Sequence, residues 1–218
     1  LEALGNPERE LKSIHIAGTN GKGSTAAMVT VFAKAHGLRV GTFTSPHMDS
    51  IRERIQLDGV PLREESFWQA ASVVREVERL LFEEWGAFNY FEILTAMMFV
   101  VFQQAAVDLA IIEVGIGGLL DNTNVSHPLV SVITTIGLDH QDLLGSTLKE
   151  ITAQKAGIIK AGQQVVVGPV TRECMDVISG VASEKGAMVQ VFGESFSLVE
   201  DSYQDGALTI PLEQLALK

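Results

Sequence analysis

The sequence predicts an α/β domain: a mostly parallel sheet flanked by helices, with a phosphate-binding loop at the end of its first strand. Three observations lead there. Short β-rich runs alternate with longer helical ones along the chain, the order that builds parallel strands through helical crossovers. The run Gly18-Thr19-Asn20-Gly21-Lys22-Gly23-Ser24-Thr25 follows a strand-like segment and opens a helix-like one, which is the setting a phosphate loop requires. The segment 108–115 is a continuous apolar run that ends in Glu113, a carboxylate at the carboxyl end of a buried strand, where open α/β sheets bind ligands.

The elements follow in order. Residues 13–17 read as a short strand running into the glycine loop, and 22–36 as a helix stopped by Gly37. Residues 39–44 read as a second strand and 53–57 as a third, followed by the turn dipeptide Asp58-Gly59. Residues 64–84 form an amphipathic helix, with Phe67, Ala70, Val74, Val77 and Leu81 on one face and charges opposite. Residues 91–106 are apolar all round, so that helix should be buried between layers. Residues 129–136 read as another buried strand. Thr147 and Glu150 make a T-x-x-E capping box opening a helix through Lys155. A strand at 164–168, a helix at 171–185 and a strand at 188–192 complete the pattern. Beyond Glu194 it decays, with Asp205-Gly206 suggesting a turn between two strand-like pieces.

Length and composition bound the rest. The 218 residues suit one generous domain or one domain and the start of another. The boundary is placed at 193, with 194–218 a tail approaching a further domain. Leu1 rather than Met opens the chain, so the natural start is expected upstream. The longest apolar stretch, Ile93 to Phe102, has Thr95 inside it and falls well short of the ~20 residues of a membrane span. A net charge of −11 repels nucleic acid and anionic membranes, so neither is an expected partner, and any polyanion must bind at a local site. The single cysteine, Cys174, excludes an internal disulfide framework and a multi-cysteine zinc site. A reducing, cytoplasmic compartment is expected.

The loop carries the clearest chemistry. Its glycines let backbone N–H groups turn inward around phosphate oxygens, and the helix N-terminus adds partial positive charge. Lys22 reaches the terminal phosphates as a point charge; Ser24 or Thr25 caps the helix or reaches a metal. The match to G-x-x-x-x-G-K-[ST] is imperfect, because Ile16 stands at the first glycine position and Gly23 intervenes between Lys22 and Ser24. A strand-end acid such as Glu113 near a phosphate loop holds Mg²⁺ directly or through water. Asp121-Asn122-Thr123-Asn124 is a polar cluster after tight glycines, open to either a site or a turn reading.

Six segments together resemble the folylpolyglutamate synthase and dihydrofolate synthase family, within the wider Mur-type group of ATP-dependent ligases. They are HIAGTNGKGST (15–25), TSPHMDSIRERI (44–55), NYFEILTA (89–96), IIEVGIGGLLDNTNV (111–125), GLDHQDLLG (137–145) and QKAGIIK (154–160). The loop is shared by the wider group, whereas TSPH and EVGIGG..D.TN are specific to the folate branch. The resemblance implies a Mur-ligase-like central ATPase domain. It places ATP on Gly18, Thr19, Asn20, Gly21, Lys22, Gly23 and Ser24, and one Mg²⁺ on Ser45 and Glu113. A second Mg²⁺ falls to Glu113, His140 and a carbamylated Lys155, and pterin contacts to Phe91 and Asp121. Lys22, His140 and Lys155 are thereby the expected catalytic groups, and His47 is left as a turn residue. The implied reaction joins L-glutamate to folate or dihydropteroate through an acyl phosphate, in folate biosynthesis and one-carbon metabolism, by a monomer. Many relatives carry Arg where this chain has Leu119, which is expected to remove a cation near the phosphates or the folate. The family continues through a linker into a second, glutamate-binding domain, so residues 1–218 alone are expected not to ligate. A cell-wall Mur ligase and a non-ligating P-loop ATPase stay open as alternatives. A guanine-specific switch would want an N-K-x-D motif, which the sequence lacks.

Overall fold

The computed structural model describes residues 1–197 together with two short strands at 203–204 and 207–208. The strands of the main sheet are β1 (Ser13–Ala17), β2 (Val40–Phe43), β3 (Ile55–Leu57), β4 (Val60–Pro61), β5 (Leu109–Glu113), β6 (Val130–Ile133), β7 (Gln164–Val167) and β8 (Met188–Val191). Their order across the sheet is β4-β3-β2-β5-β1-β6-β7-β8. The six strands from β2 to β8 in that order run parallel, while β3 and β4 pair antiparallel at one edge. The predicted parallel α/β class is what the structure shows. The central position of β1 and its neighbour β5 brings the glycine loop and Glu113 to the same end of the sheet.

The pleat sends successive residues of β5 to opposite faces. Ile111 packs with Ile16, Val40 and the Ala26 and Ala33 methyls of α1 (Lys22–Ala35). Ile112 packs the other way, with Phe43, Met98, Phe99 and Phe102, under α2 (Glu64–Trp85) and α3 (Tyr90–Gln104). Apolar residues on both faces of β5 are what a strand covered by helices on both sides needs. α3 buries Leu94 and every residue from Met97 to Phe102, as its all-round apolar character predicts. Further along the sheet, Ile133, Val165 and Val167 pack beneath α5 (Leu148–Ala156) and α6 (Arg172–Lys185). A four-residue helix, α4 (Gln141–Leu144), precedes α5.

The expected capping box at Thr147 and Glu150 is present. Two more of the same type were legible but not read: Ser50 with Glu53, opening a 3-10 turn at Ile51–Arg54, and Asn89 with Glu92, opening α3. Such caps contribute about 1 kcal/mol each. The first of them corrects an element boundary. Glu53 and Arg54 belong to the turn and not to the strand, because Glu53 is engaged in holding the backbone N–H groups of Met48, Asp49 and Ser50. At the far end, Tyr203–Gln204 and Ala207–Leu208 pair antiparallel as β9 and β10. The Asp205-Gly206 turn and the rest of the expected tail lie outside the described residues.

β1 also carries a buried histidine for which the sequence reading gave no role. His15 is fully buried, with Nε2 2.8 Å from the Thr123 hydroxyl. That hydroxyl donates its proton to Asp121, so the imidazole is the donor and carries its proton on Nε2. Burial, and secondarily the charge of Lys160, lower its pKa from 6.5 to about 3. The unfolded chain therefore takes up a proton near pH 6.5 that the folded protein refuses until about pH 3, and stability falls as pH drops through that window. Urea unfolding from pH 7 to 3.5 is expected to show this acid limb. It should flatten in His15→Gln, which keeps a donor toward Thr123 and does not titrate; an unchanged slope would place the titration elsewhere.

Candidate active site

The loop between β1 and α1 is built by its glycines and held from behind. Gly18 has φ 151° and Gly21, at the N-cap of α1, has φ 82°; both lie where a side chain is strained. A Cβ on Gly18 would also strike the Thr134 side chain. Residues 134–137, just past β6, strap the loop. The Thr19 N–H donates to the Thr135 carbonyl at 2.8 Å, and the Asn20 N–H to the Thr135 hydroxyl at 3.0 Å. The Thr134 hydroxyl donates to the Asn20 carbonyl at 2.7 Å. The Thr19 hydroxyl accepts from the Gly137 N–H at 3.0 Å and donates to the Gly137 carbonyl at 3.2 Å. Lys22 curls over the loop and donates to the carbonyls of Gly18 and Thr19, at 3.0 and 3.2 Å. α1 has no acidic residue in its first turn, so its positive end is unopposed.

Glu113 ends β5 with 3% of its surface exposed. Its Oε2 accepts from the Ser45 N–H at 3.1 Å, an adjacency that follows from the pairing of β2 with β5. A Cβ on Gly23 would lie 3.6 Å from the same oxygen, so the carboxylate faces the first turn of α1. Burial pushes its pKa up, against the Ser45 N–H and the charges of Lys22 and Arg54. Lys155, in the last turn of α5, is not the solvated helix charge its sequence position alone would suggest. It is 3% exposed and donates to the Gly18 carbonyl at 3.0 Å, the oxygen that Lys22 also uses. Burial, and then repulsion from Lys22, lower its pKa to about 8, with Asp139 acting in the opposite sense.

Lys22, Ser45, Phe91, Asp121 and His140 line one cleft of 690 Å³. Glu113 and Lys155 lie behind its lining: Glu113 accepts from the Ser45 N–H, and Lys155 shares the Gly18 carbonyl with Lys22. His140 begins α4 in the left-handed region, φ 48°, with its side chain exposed beside Asp139. Asp121 lines the cleft, but its carboxylate also ties the wall together. Oδ2 accepts from the N–H groups of Gly115 and Ile116 at 2.9 and 3.0 Å, and Oδ1 from the N–H and hydroxyl of Thr123. Gly115 permits this closeness, because a Cβ there would lie 2.6 Å from the Phe91 ring. Leu119 packs over Gly157 and lines a separate groove with Asn124 and Lys160.

Two cleft residues escaped the sequence reading. Arg54 donates from Nε to His47 Nδ1 at 2.8 Å, and its guanidinium lies 5.5 Å from the centre of the Tyr90 ring. The R-E-R-I run held the signal, but charge alone did not separate Arg54 from its neighbour Arg52. Among the described residues no three His, Cys, Asp or Glu side chains converge to hold a metal. Among the hard-oxygen donors at the cleft, Glu113 and Ser45 are neighbours, the Ser45 N–H meeting the Glu113 carboxylate. That pair suits Mg²⁺, which is commonly held by one or two carboxylates and substrate phosphates rather than by a closed protein cage.

A strand-end glycine loop, its lysine and a buried acid on the neighbouring strand define a phosphate-loop nucleotide-binding domain of the Mur-ligase type. No family model matches the chain. It is 40% identical over 223 residues to the dihydrofolate synthase/folylpolyglutamate synthase of Bacillus subtilis, an alignment covering 94% of this chain and 52% of that protein. A solved folylpolyglutamate synthase of Mycobacterium tuberculosis, complexed with ADP and AMPPCP, superposes with TM-score 0.88 at 38% identity, over 91% of this chain and 47% of that one. An FPGS–AMPPCP–folate complex superposes with TM-score 0.86 at 42% identity, over 90% of this chain and 48% of that one. The chain belongs to the folylpolyglutamate synthase/dihydrofolate synthase family. It spans about half the length of the curated relatives it matches.

Proposed function

We propose that this chain is the nucleotide-binding part of an ATP-dependent ligase that adds L-glutamate to a folate or to dihydropteroate. One observation carries the reading: a single cleft is lined both by Lys22 of the phosphate loop and by the aromatic side chains of Tyr90 and Phe91. A triphosphate and an aryl carboxylate fit that division. The folate bound in the solved FPGS complex and the family membership support it.

Within the loop from Gly18 to Ser24, the amides at the start of α1 and the ammonium of Lys22 hold the ATP phosphates and offset charge on the transferring group, while the Thr19 and Asn20 amides, engaged by Thr135, keep the loop in shape. A carboxylate oxygen of the pterin substrate attacks the γ-phosphorus, and ADP departs. The acyl phosphate that results has a good leaving group where the carboxylate had none. The glutamate amine, having shed its proton, attacks the acyl carbon, the amide forms and phosphate leaves. Phe91 and the Asp121-tied wall position the pterin end. Ser45 and Glu113 would hold one Mg²⁺, and Glu113, His140 and a carbamylated Lys155 a second; bound there, Mg²⁺ supplies charge neutralisation at the phosphoryl group. Residues 1–193 make the ATPase domain, and 194–218 lead toward a second domain that brings glutamate. Residues 1–218 alone then bind nucleotide without ligating. The lone buried Cys174 is consistent with a cytoplasmic enzyme, and no helix among the described residues is long and apolar enough to cross a membrane. We expect the enzyme to act as a monomer.

The test is phosphate release by the full-length protein, measured with and without L-glutamate, using folate, dihydropteroate and a cell-wall muropeptide precursor in parallel. Glutamate-dependent release with a folate substrate supports the ligase; release only with the muropeptide, or release indifferent to any acceptor, refutes it.

Lys155 provides a sharper expectation. With its pKa near 8, a fraction of the amine is neutral at pH 7.5 and its nitrogen attacks CO₂, losing a proton to give a carbamate with two hard oxygens. Lys155→Ala is expected to lose ligation on the order of 10²-fold, with partial recovery on adding a small carboxylic acid. Intact-protein mass spectrometry with Mg²⁺ and nucleotide should show one added CO₂ in the wild type and none in the variant. Full activity in Lys155→Ala would end the proposal.

A further inference from the structure

Arg54 forms no close ion pair among the described residues of a strongly acidic chain, although its charge is felt by Glu113. The sequence holds 27 acidic and 16 basic residues, yet Arg9 and Lys149 are the only Lys or Arg side chains in ion pairs among the described residues; what sets Arg54 apart is its fixed place in the cleft with free N–H donors. Arg52, two residues earlier in the same turn, is engaged structurally: its Nε donates to the Ser50 hydroxyl and its Nη1 to the Leu62 carbonyl. Arg54 uses one of its five N–H donors, from Nε to His47 Nδ1. Among the described residues its Nη nitrogens meet no hydrogen-bond acceptor, and no carboxylate forms an ion pair with it. It is nonetheless held in place. His47 fixes one edge of the guanidinium, Tyr90 lies under its face, and the group lines the cleft with Lys22, Ser45 and Phe91.

We propose that Arg54, oriented by His47 and Tyr90, is the clamp for a carboxylate of the aryl substrate that enters this cleft. The inference rests on the ligase reading and adds the residue that recognises the acceptor's acid group. The planar fork of a guanidinium binds a carboxylate through two parallel N–H···O bonds, which an ammonium cannot reproduce. The two cations of the cleft then divide the work: Lys22, on the loop, takes phosphate, and Arg54, beside the aromatic wall, takes carboxylate. Phe91 and Tyr90 offer apolar faces on which the substrate's aryl ring would pack, with the benzoate of dihydropteroate or a glutamyl carboxylate of folate reaching Arg54. His47 is a positioning residue. Its Nδ1 accepts from Arg54, so the ring is held with its proton on Nε2.

The experiment measures equilibrium binding to the full-length protein of three ligands: folate, a non-hydrolysable ATP analogue, and a pteridine with no carboxylate. Arg54→Ala should weaken folate binding by ~10- to 100-fold, leaving nucleotide and carboxylate-free pteridine binding as in the wild type. Arg54→Lys should recover little of the loss. In turnover the folate KM rises with the binding loss while kcat at saturation stays close to wild type. His47→Ala should give a smaller loss, and His47→Asn, whose Oδ1 accepts from Nε, should restore it. If Arg54→Ala fails to fold, Arg54→Lys and the His47 pair carry the same comparison. Folate binding unchanged in Arg54→Ala and Arg54→Lys, or an equal loss for the carboxylate-free pteridine, overturns the clamp. A wild type that ignores folate but binds other aryl carboxylates through Arg54 overturns the folate reading and leaves the clamp standing.

Discussion

Lys22→Ala in the full-length protein is expected to lose ATP turnover on the order of 10³-fold while melting within a degree or two of wild type. The size follows from removing a fixed positive charge aimed at a group whose negative charge is redistributed in the transition state. The silence in stability follows from what Lys22 touches, which is two carbonyls of its own loop. The Gly18 carbonyl keeps the Lys155 ammonium as a partner, and the strap from residues 134–137 holds the rest. The variant also relieves Lys155 of a like charge, moving its pKa back up toward 10.5. Phosphate release and a thermal melt on the same preparation decide it. Normal turnover, or a collapsed melt, would remove Lys22 from the chemistry.

Glu113→Gln should separate activity from stability in opposite directions. Glu113 is buried, and its raised pKa means the fold disfavours its charge. A carboxylate with a raised folded pKa binds its proton more tightly folded than unfolded. Stability therefore falls as pH rises from 4.5 through the folded pKa, and the deficit is complete above it. Glutamine removes that deficit and still accepts from the Ser45 N–H, so the variant is expected to be more stable than wild type at pH 7. The gain should vanish as pH falls below 4.5. ATP turnover should nevertheless drop by about 10²-fold or more, because the charged oxygen proposed to hold Mg²⁺ is gone. Such pairs of effects mark residues kept for function at a cost in stability. Urea midpoints at pH 4 and 7, with turnover against Mg²⁺ concentration, check both halves. A variant that is less stable at pH 7 and fully active would contradict both.

Much of the architecture was legible because local chemistry encoded it. The loop glycines, the Thr147–Glu150 box, the apolar strand ending at Glu113 and the face of α2 all lie within a few residues of one another in sequence. What periodicity did not supply was adjacency across the sheet. Ser45 meets Glu113 because β2 pairs with β5, and Asp121 reaches His15 through Thr123, contacts spanning 68 and 108 residues. Lys155 shows the same limit: its burial against Gly18 depends on α5 packing near the loop, and only the QKAGIIK resemblance pointed there. Arg54 was missed for a simpler reason: one charge in a charged run looks like a solvated surface until its partners are counted, and His47, read as a turn residue, had no visible partner without it.

The strap behind the glycine loop has a kinetic consequence. A loop that had to order itself around phosphate would capture nucleotide slowly, with an on-rate limited by the fraction of time it spends competent. Here Thr19 and Asn20 are already tied to residues 134–137, so the receptive shape is the resting one and encounter alone should set the rate. In the absence of nucleotide, the amides of Thr19, Asn20 and Gly137 should exchange with deuterium far more slowly than those of an ordinary exposed loop. Thr19→Val, which keeps the bulk and removes the hydroxyl, should speed that exchange at Gly137 and slow nucleotide capture in stopped flow, with little change in how fast bound nucleotide escapes.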